Sequence, residues 1–160
     1  MFKAINIKKL LSCVVLTELV GVISCLIGGD GSAQYGGFLK PALAMPAGAF
    51  PWFWGIFLLL AGVALYIVYE SAGRRKSARP AVTLFYIQLA FTFMLPILFY
   101  GLQLRGFAVI WTVALLILLA VNIRQFYVIS KPAGILLIPY FLWAVYLLYL
   151  YYGIWSMNVL

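Results

Sequence analysis

The side chains that could do chemistry are few, and they sit inside apolar runs: Glu18 with Cys13 and Cys25 in the first, Tyr140 and Trp143 just after Pro139 in the last. The chain has no histidine, which excludes a histidine-based catalytic triad, a histidine zinc site and histidine ligation of haem. Cys13 and Cys25 are twelve residues apart, about 18 Å along a helix, too far to bond within it. Glu18 has two readings. An intramembrane carboxylate is a functional candidate by default, for example on a transport path; near a helix end it would instead reach headgroups or Arg and Lys. Tyr140 and Trp143 also have two: ordinary packing with O–H and N–H on backbone carbonyls, or the wall of a pocket for a flat apolar ligand.

The elements that must position these groups are membrane helices. The 160 residues are 67% hydrophobic and only 9% charged, with mean hydropathy +1.13, whereas soluble domains carry about a quarter charged residues. The apolar residues come in long runs rather than in alternation, so the expected fold is an all-α integral membrane bundle and not a barrel, one domain over residues 1–160. Five spans fit, at Leu10–Gly28, Phe50–Tyr69, Ala81–Leu102, Phe107–Ile129 and Gly134–Trp155.

One connection is long. "GDGSAQYGGFLKPALAMPAGAFP", Gly29 to Pro51, is rich in glycine and proline, which argues against regular structure over most of it. Tyr35, Phe38, Leu39, Leu43 and Met45 make it too apolar for a disordered linker, so it is expected to be a lid over the helix ends. Pro80 and Pro132 stand near first turns, where a missing N–H costs nothing. Pro96 and Pro139 fall inside spans, where each frees a carbonyl and is expected to kink its helix. The odd number of spans and the lack of an internal repeat argue against an inverted-repeat transporter.

Charge sets the expected topology. Lys3, Lys8, Lys9, Arg74, Arg75, Lys76, Arg79, Arg124 and Lys131 fall on one side, and only Lys40 and Arg105 on the other. The positive-inside rule then places the N-terminus in the cytoplasm and the C-terminus outside. "GRRKSARP" reads as a juxtamembrane basic loop next to lipid rather than as a nucleic-acid site. "VISC" ending at Cys25 superficially matches a lipoprotein processing site, but Glu18 inside the apolar stretch favours an uncleaved first span.

On a wheel of 100° per residue, Tyr140, Trp143, Ala144, Leu147, Tyr151, Ile154, Trp155 and Asn158 share one face of the last span, with Tyr146, Tyr149 and Gly153 opposite. Tyr152, Trp155 and Tyr149 suit an interfacial belt. Tyr140 and Trp143 lie deeper.

The block "LLIPYFLWAVYLLYLYYGIWSMN" resembles the last helix of the TspO/MBR family, the tryptophan-rich sensory and translocator proteins. Pro139, Tyr140, Trp143, Trp155 and Asn158 occupy its pattern without a gap. "YGGFLKPALAMPAGAFPWFW" is similar to the family's first loop through Tyr35, Lys40, Pro41, Pro46 and Trp54, and Gly62 matches a glycine of the second span. "QLAFTFMLPILFY", from Gln88 to Tyr100, is a weaker match in the third. The chain departs from the pattern at Gln34, Met45, Thr92, Leu95, Leu147, Tyr151 and Ser156. Several of these changes fill space or remove polar groups in the expected cavity, and Ser156 breaks the animal members' cholesterol-recognition pattern.

The resemblance implies a homodimeric five-helix bundle that binds porphyrins such as protoporphyrin IX, or other flat hydrophobic molecules such as sterols, with no covalent cofactor. It implies a ligand site made by Tyr35 and Pro46 in the lid, Trp54, Gln88, Tyr140, Trp143, Leu147 and Leu150, with the two aromatics of the last span sharing a cavity with Trp54. The leading reading is a binding or sensory protein in a bacterial cell membrane. Light-dependent porphyrin breakdown through Trp54 and Trp143, and transport of such ligands, are the alternatives.

Overall fold

Five helices of the structure, a computed structural model that describes residues 5–72 and 78–159, are long and apolar enough to cross a membrane. Helix α1 spans Ile7–Gly28, α2 Gly31–Gly37, α3 Phe50–Ala72, α4 Ala78–Pro96, α5 Arg105–Ile129 and α6 Lys131–Met157; no strand occurs among the described residues. The expected spans correspond to α1, α3, α4, α5 and α6. Most of these helices extend two or three residues beyond the expected ends, because polar residues join their terminal turns: Asn6 caps α1 by accepting the Lys9 N–H, and Arg105 and Lys131 open α5 and α6. Lys3, Arg74, Arg75 and Lys76, used for the topology, lie outside the described residues.

The spans pack in a closed ring, each against the next in the order α1, α3, α6, α5, α4 and back to α1. Leu65, Phe85, Leu119, Phe126, Leu137 and Leu150 fill its middle, with Phe85 stacked on Phe126 at 5.5 Å. Lipid gives apolar helices little hydrophobic reason to associate, so close backbone approach and internal hydrogen bonds decide the pairing. At Gly62 the backbones of α1 and α3 pack closely: a Cβ there would lie 2.7 Å from Val14 Cα and 3.0 Å from the Cys13 carbonyl oxygen. Between α4 and α5, Asn122 Nδ2 donates to Gln88 Oε1 at 2.7 Å, and the Thr92 and Tyr140 hydroxyls bond α4 to α6. Lys9 and Glu70 pair at 3.1 Å across the ends of α1 and α3, far from the lid.

The two internal prolines behave differently. At Pro96 the α-helix gives way to a wider π-helical turn, Ile97–Gly101, consistent with a proline that cannot bond to the turn before it. Helix α6 continues through Pro139.

The long connection is more regular than its composition suggested. Asp30 caps α2 by accepting the Ala33 N–H and the Ser32 hydroxyl, and these two donors hold its carboxyl below the usual carboxylate range. Three glycines in a seven-residue helix are unfavourable on propensity alone. Tertiary contacts compensate: buried Tyr35 donates to the Met45 carbonyl at 2.7 Å, and Gln34 Nε2 donates to the Tyr100 carbonyl at 3.2 Å.

Candidate functional site

A cleft of about 370 Å³ opens between α1 and α3 beneath α2. The side chains on the lid side of the Gly62 contact hold the two helices apart there. Leu58 and then Trp54 of α3 lean on Gly21 of α1, where a Cβ would meet the Leu58 Cδ1 at 2.3 Å. Glycine at 21 therefore admits these side chains between the backbones. Beyond them the helices enclose free space lined by Glu18, Val22 and Cys25 of α1 and by Phe50, Pro51 and Gly55 of α3. Tyr35 roofs it, and Pro96, Tyr100 and Tyr151 close the far wall. Leu26, at the rim, is 75% exposed, so the cleft faces outward from the helix ring as well as toward the lid.

Two polar atoms in this apolar lining have no partner: Glu18 Oε1 and Trp54 Nε1, both shielded from solvent. Glu18 is eleven residues from the start of α1 and ten from its end. Its position is therefore near the middle of the span, about 15 Å from either end, and the reading that put it within reach of headgroups is corrected.

The eight candidates from the sequence fall into separate settings. Tyr35 and Trp54 line the cleft. Gln88 and Tyr140 belong to the buried polar cluster with Thr92 and Asn122, and Leu147 and Leu150 are core. Trp143 packs in an aromatic stack, 5.4 Å from the rings of Phe53, Phe57 and Tyr146. The expectation that Tyr140 and Trp143 share a cavity with Trp54 is thus corrected. Trp54 turns to α1, while Phe53 and Phe57 present a different side of α3 to α6. Trp143 does not line the cleft and connects to it through Phe50, which it meets edge-on at 5.9 Å and which in turn meets Tyr35 at 5.1 Å. Pro46 is exposed and does not line the cleft; it precedes the 3₁₀ turn Ala47–Ala49, whose first residue does.

The outer tyrosines of α6 hold the lid. Tyr146 donates its hydroxyl to the Leu43 carbonyl at 3.1 Å and accepts the Met45 N–H at 3.0 Å; Tyr149 accepts the Leu43 N–H at 3.4 Å. Gly153 leaves room for Pro41, since a Cβ there would lie 2.7 Å from the proline ring. Tyr149 is therefore a lid contact as well as an exposed ring, which its place in an interfacial belt did not anticipate. Burial, with Tyr146 beside it, pushes the Tyr35 phenol up to about 12.

Sequence reasoning missed the α1 wall. Its signal was present as Glu18, Gly21, Val22 and Cys25, spaced by three and four residues and so on one helix face. Tyr100 and Tyr151 were missed as well, because they come from helix ends brought together only by the fold.

The sequence is similar to those of known proteins. The TspO/MBR family model matches residues 13–156. The tryptophan-rich protein TspO of Chlorobaculum tepidum is 30% identical over 154 residues, covering 96% of this chain and 98% of that one. The tryptophan-rich protein TspO of Archaeoglobus fulgidus is also 30% identical over 154 residues, covering 96% and 99%. The human translocator protein is 28% identical over 142 residues, covering 85% and 84%.

Proposed function

The chain belongs to the TspO/MBR family of multi-pass membrane proteins, and from that premise we propose that it is a sensory binding protein for a flat hydrophobic ligand of the porphyrin or sterol kind. Family membership supports a ligand-binding role in the membrane in general; the choice of ligand is our reading. The observation that carries it is the lidded, largely apolar cleft between α1 and α3, with two buried polar atoms left unpartnered in its wall. Its volume, about 370 Å³, lies toward the small end of the ~300–1,000 Å³ typical of small-molecule sites. One flat ring system fills such a space, and a larger macrocycle projects its edge past Leu26 into lipid. Aromatic walls suit planar ligands by dispersion and offset stacking.

Degradation of a porphyrin by two tryptophans asks both to face one ligand. Trp54 and Trp143 stand on different sides of α3, so binding is the better supported reading. The charge distribution adds a topology with the lid outside the cytoplasm, the resemblance adds a homodimer, and a bacterial cell membrane completes the proposal. The direct experiment is titration of the purified protein with protoporphyrin IX, haem and a sterol, each read by tryptophan quenching. Saturable binding of at least one supports the reading; quenching that never saturates with any of them overturns it.

A further inference from the structure

Glu18 is the one charged side chain among the described residues that lines the cleft, and its buried Oε1 has no partner among them. The nearest cations on its own helix are Lys8 and Lys9, more than two turns away, and Lys9 is already paired with Glu70. Lys40, in the lid, donates to the Phe38 and Gly36 carbonyls and stands over the Tyr35 ring. No hydroxyl or amide among the described residues bonds to the Glu18 carboxyl Oε1, and its other oxygen faces Gly55, where a Cβ would stand 3.8 Å away. A carboxyl near the bilayer midplane is costly unless something pairs with it, and such residues mark ligand or ion paths. Beside it Trp54 offers an indole N–H, a donor only, also unanswered. The cleft thus presents one acidic acceptor and one neutral donor, buried and unpartnered, in a largely apolar wall whose other polar groups include the hydroxyls of Ser32, Tyr35, Tyr100 and Tyr151.

We propose that Glu18 and Trp54 select the ligand's chemistry: an apolar ring system carrying a protonatable nitrogen, its N–H on Glu18 and a neighbouring acceptor on the Trp54 N–H. This rests on the cleft being the binding site, as argued above. An ammonium on a carboxylate adds the attraction of two opposite charges to the hydrogen bond, and in a water-poor site that pair is stronger than the bond an alcohol of the same shape donates, so the amine is favoured. A ligand that puts a carboxylate at this depth is rejected by like charge. Within the proposed ligand classes, a free-base tetrapyrrole meets the requirement through its ring nitrogens. A sterol does not. An acidic ligand must turn its carboxylates away from Glu18, toward the lid.

Three pyrene probes that differ in one group test this: 1-pyrenemethylamine, 1-pyrenemethanol and pyrene-1-carboxylate. Binding is read twice, by energy transfer from tryptophan and by protection of Cys25, which is exposed and lines the cleft, from N-ethylmaleimide in a Cys13→Ala background. Wild type should bind the amine about ten-fold tighter than the alcohol, equivalent to ~1.4 kcal/mol, and the carboxylate most weakly. Glu18→Gln should bring the amine to the level of the alcohol, and continued protection of Cys25 by the alcohol reports that the cleft is intact. An amine preference that survives Glu18→Gln overturns the inference, as does its absence from wild type. In both cases, protection of Cys25 by the alcohol would leave the cleft itself standing. Failure of all three probes to protect Cys25 would overturn both the inference and the site.

Discussion

Asn158 holds Leu39 through both its backbone groups: its Nδ2 donates to the Leu39 carbonyl at 2.9 Å and its Oδ1 accepts the Leu39 N–H at 3.1 Å. The same Nδ2 also donates to the Ile154 carbonyl at 2.7 Å, which fixes the amide against the last turn of α6. Asn158→Ala should free the lid at this point without unfolding the spans. Each bond to Leu39 is solvent-accessible and contributes about 0.5–1.5 kcal/mol at most. Amide hydrogen exchange should speed up at Leu39 and in α2 and remain unchanged in the middle of α6. Unchanged exchange at Leu39 would show that the pair does not hold the lid.

Tyr146 should matter more than Tyr149. Its hydroxyl serves two backbone groups of the lid in a partly buried place, so Tyr146→Phe leaves the Met45 N–H without its partner, a loss of about 1–3 kcal/mol. Tyr149 gives one long bond at 3.4 Å from an exposed ring. Ligand dissociation rates are the measurement: Tyr146→Phe should release ligand faster, and Tyr149→Phe should remain close to wild type. The reverse order would contradict the lid assignment.

Gly62 and Gly36 make an opposed pair. A methyl at 62 runs into backbone atoms of α1 that cannot move aside, so Gly62→Ala should lower the thermal midpoint in detergent, at a cost of roughly 1–3 kcal/mol. A methyl at 36 meets nothing within 4 Å, and Gly36→Ala should stabilise α2 by about 0.5–1 kcal/mol. Slower hydrogen exchange in α2 checks the second. Equal effects of the two substitutions would mean that α1 and α3 do not touch at Gly62.

Alkali should loosen the lid through Tyr35. Its folded phenol is raised to about 12, chiefly by burial, and an exposed phenol titrates near 10. The contribution is full below about pH 10, where both states are neutral, and is lost as pH rises toward 12, because the open state ionises first. The thermal midpoint should therefore fall over that window in wild type, and less steeply in Tyr35→Phe. Identical profiles would remove Tyr35 from the closed lid.

The spans were legible because a run of about twenty apolar residues has few alternatives in a bilayer. The shared face of α6 was legible for most of its length: of the residues the wheel grouped, Tyr140, Trp143, Ala144, Leu147, Tyr151 and Ile154 are buried, while Trp155 and Asn158 at the end are not. What lay across from that face was not. Lipid-facing and protein-facing sides of these helices are both apolar, so periodicity could not show that Trp143 meets Phe53 and Phe57 while Trp54 turns to Gly21. Helix α2 was hidden by its glycines, since Asp30, Tyr35 and Gln34 stabilise it through contacts that exist only in the fold.

The central claim is that ligand enters the α1–α3 cleft, and protoporphyrin IX titration of Gly55→Phe beside Trp143→Phe tests it most directly. Gly55 lines the cleft with room for a side chain, its nearest neighbour for a Cβ being Glu18 at 3.8 Å, so phenylalanine there fills the space without displacing backbone. Trp143 stands one layer behind, and phenylalanine keeps its stack. Gly55→Phe should weaken binding at least about ten-fold, and Trp143→Phe should stay within about two-fold of wild type. Undiminished affinity in Gly55→Phe, with the loss confined to Trp143→Phe, would contradict the account and move the site to α6.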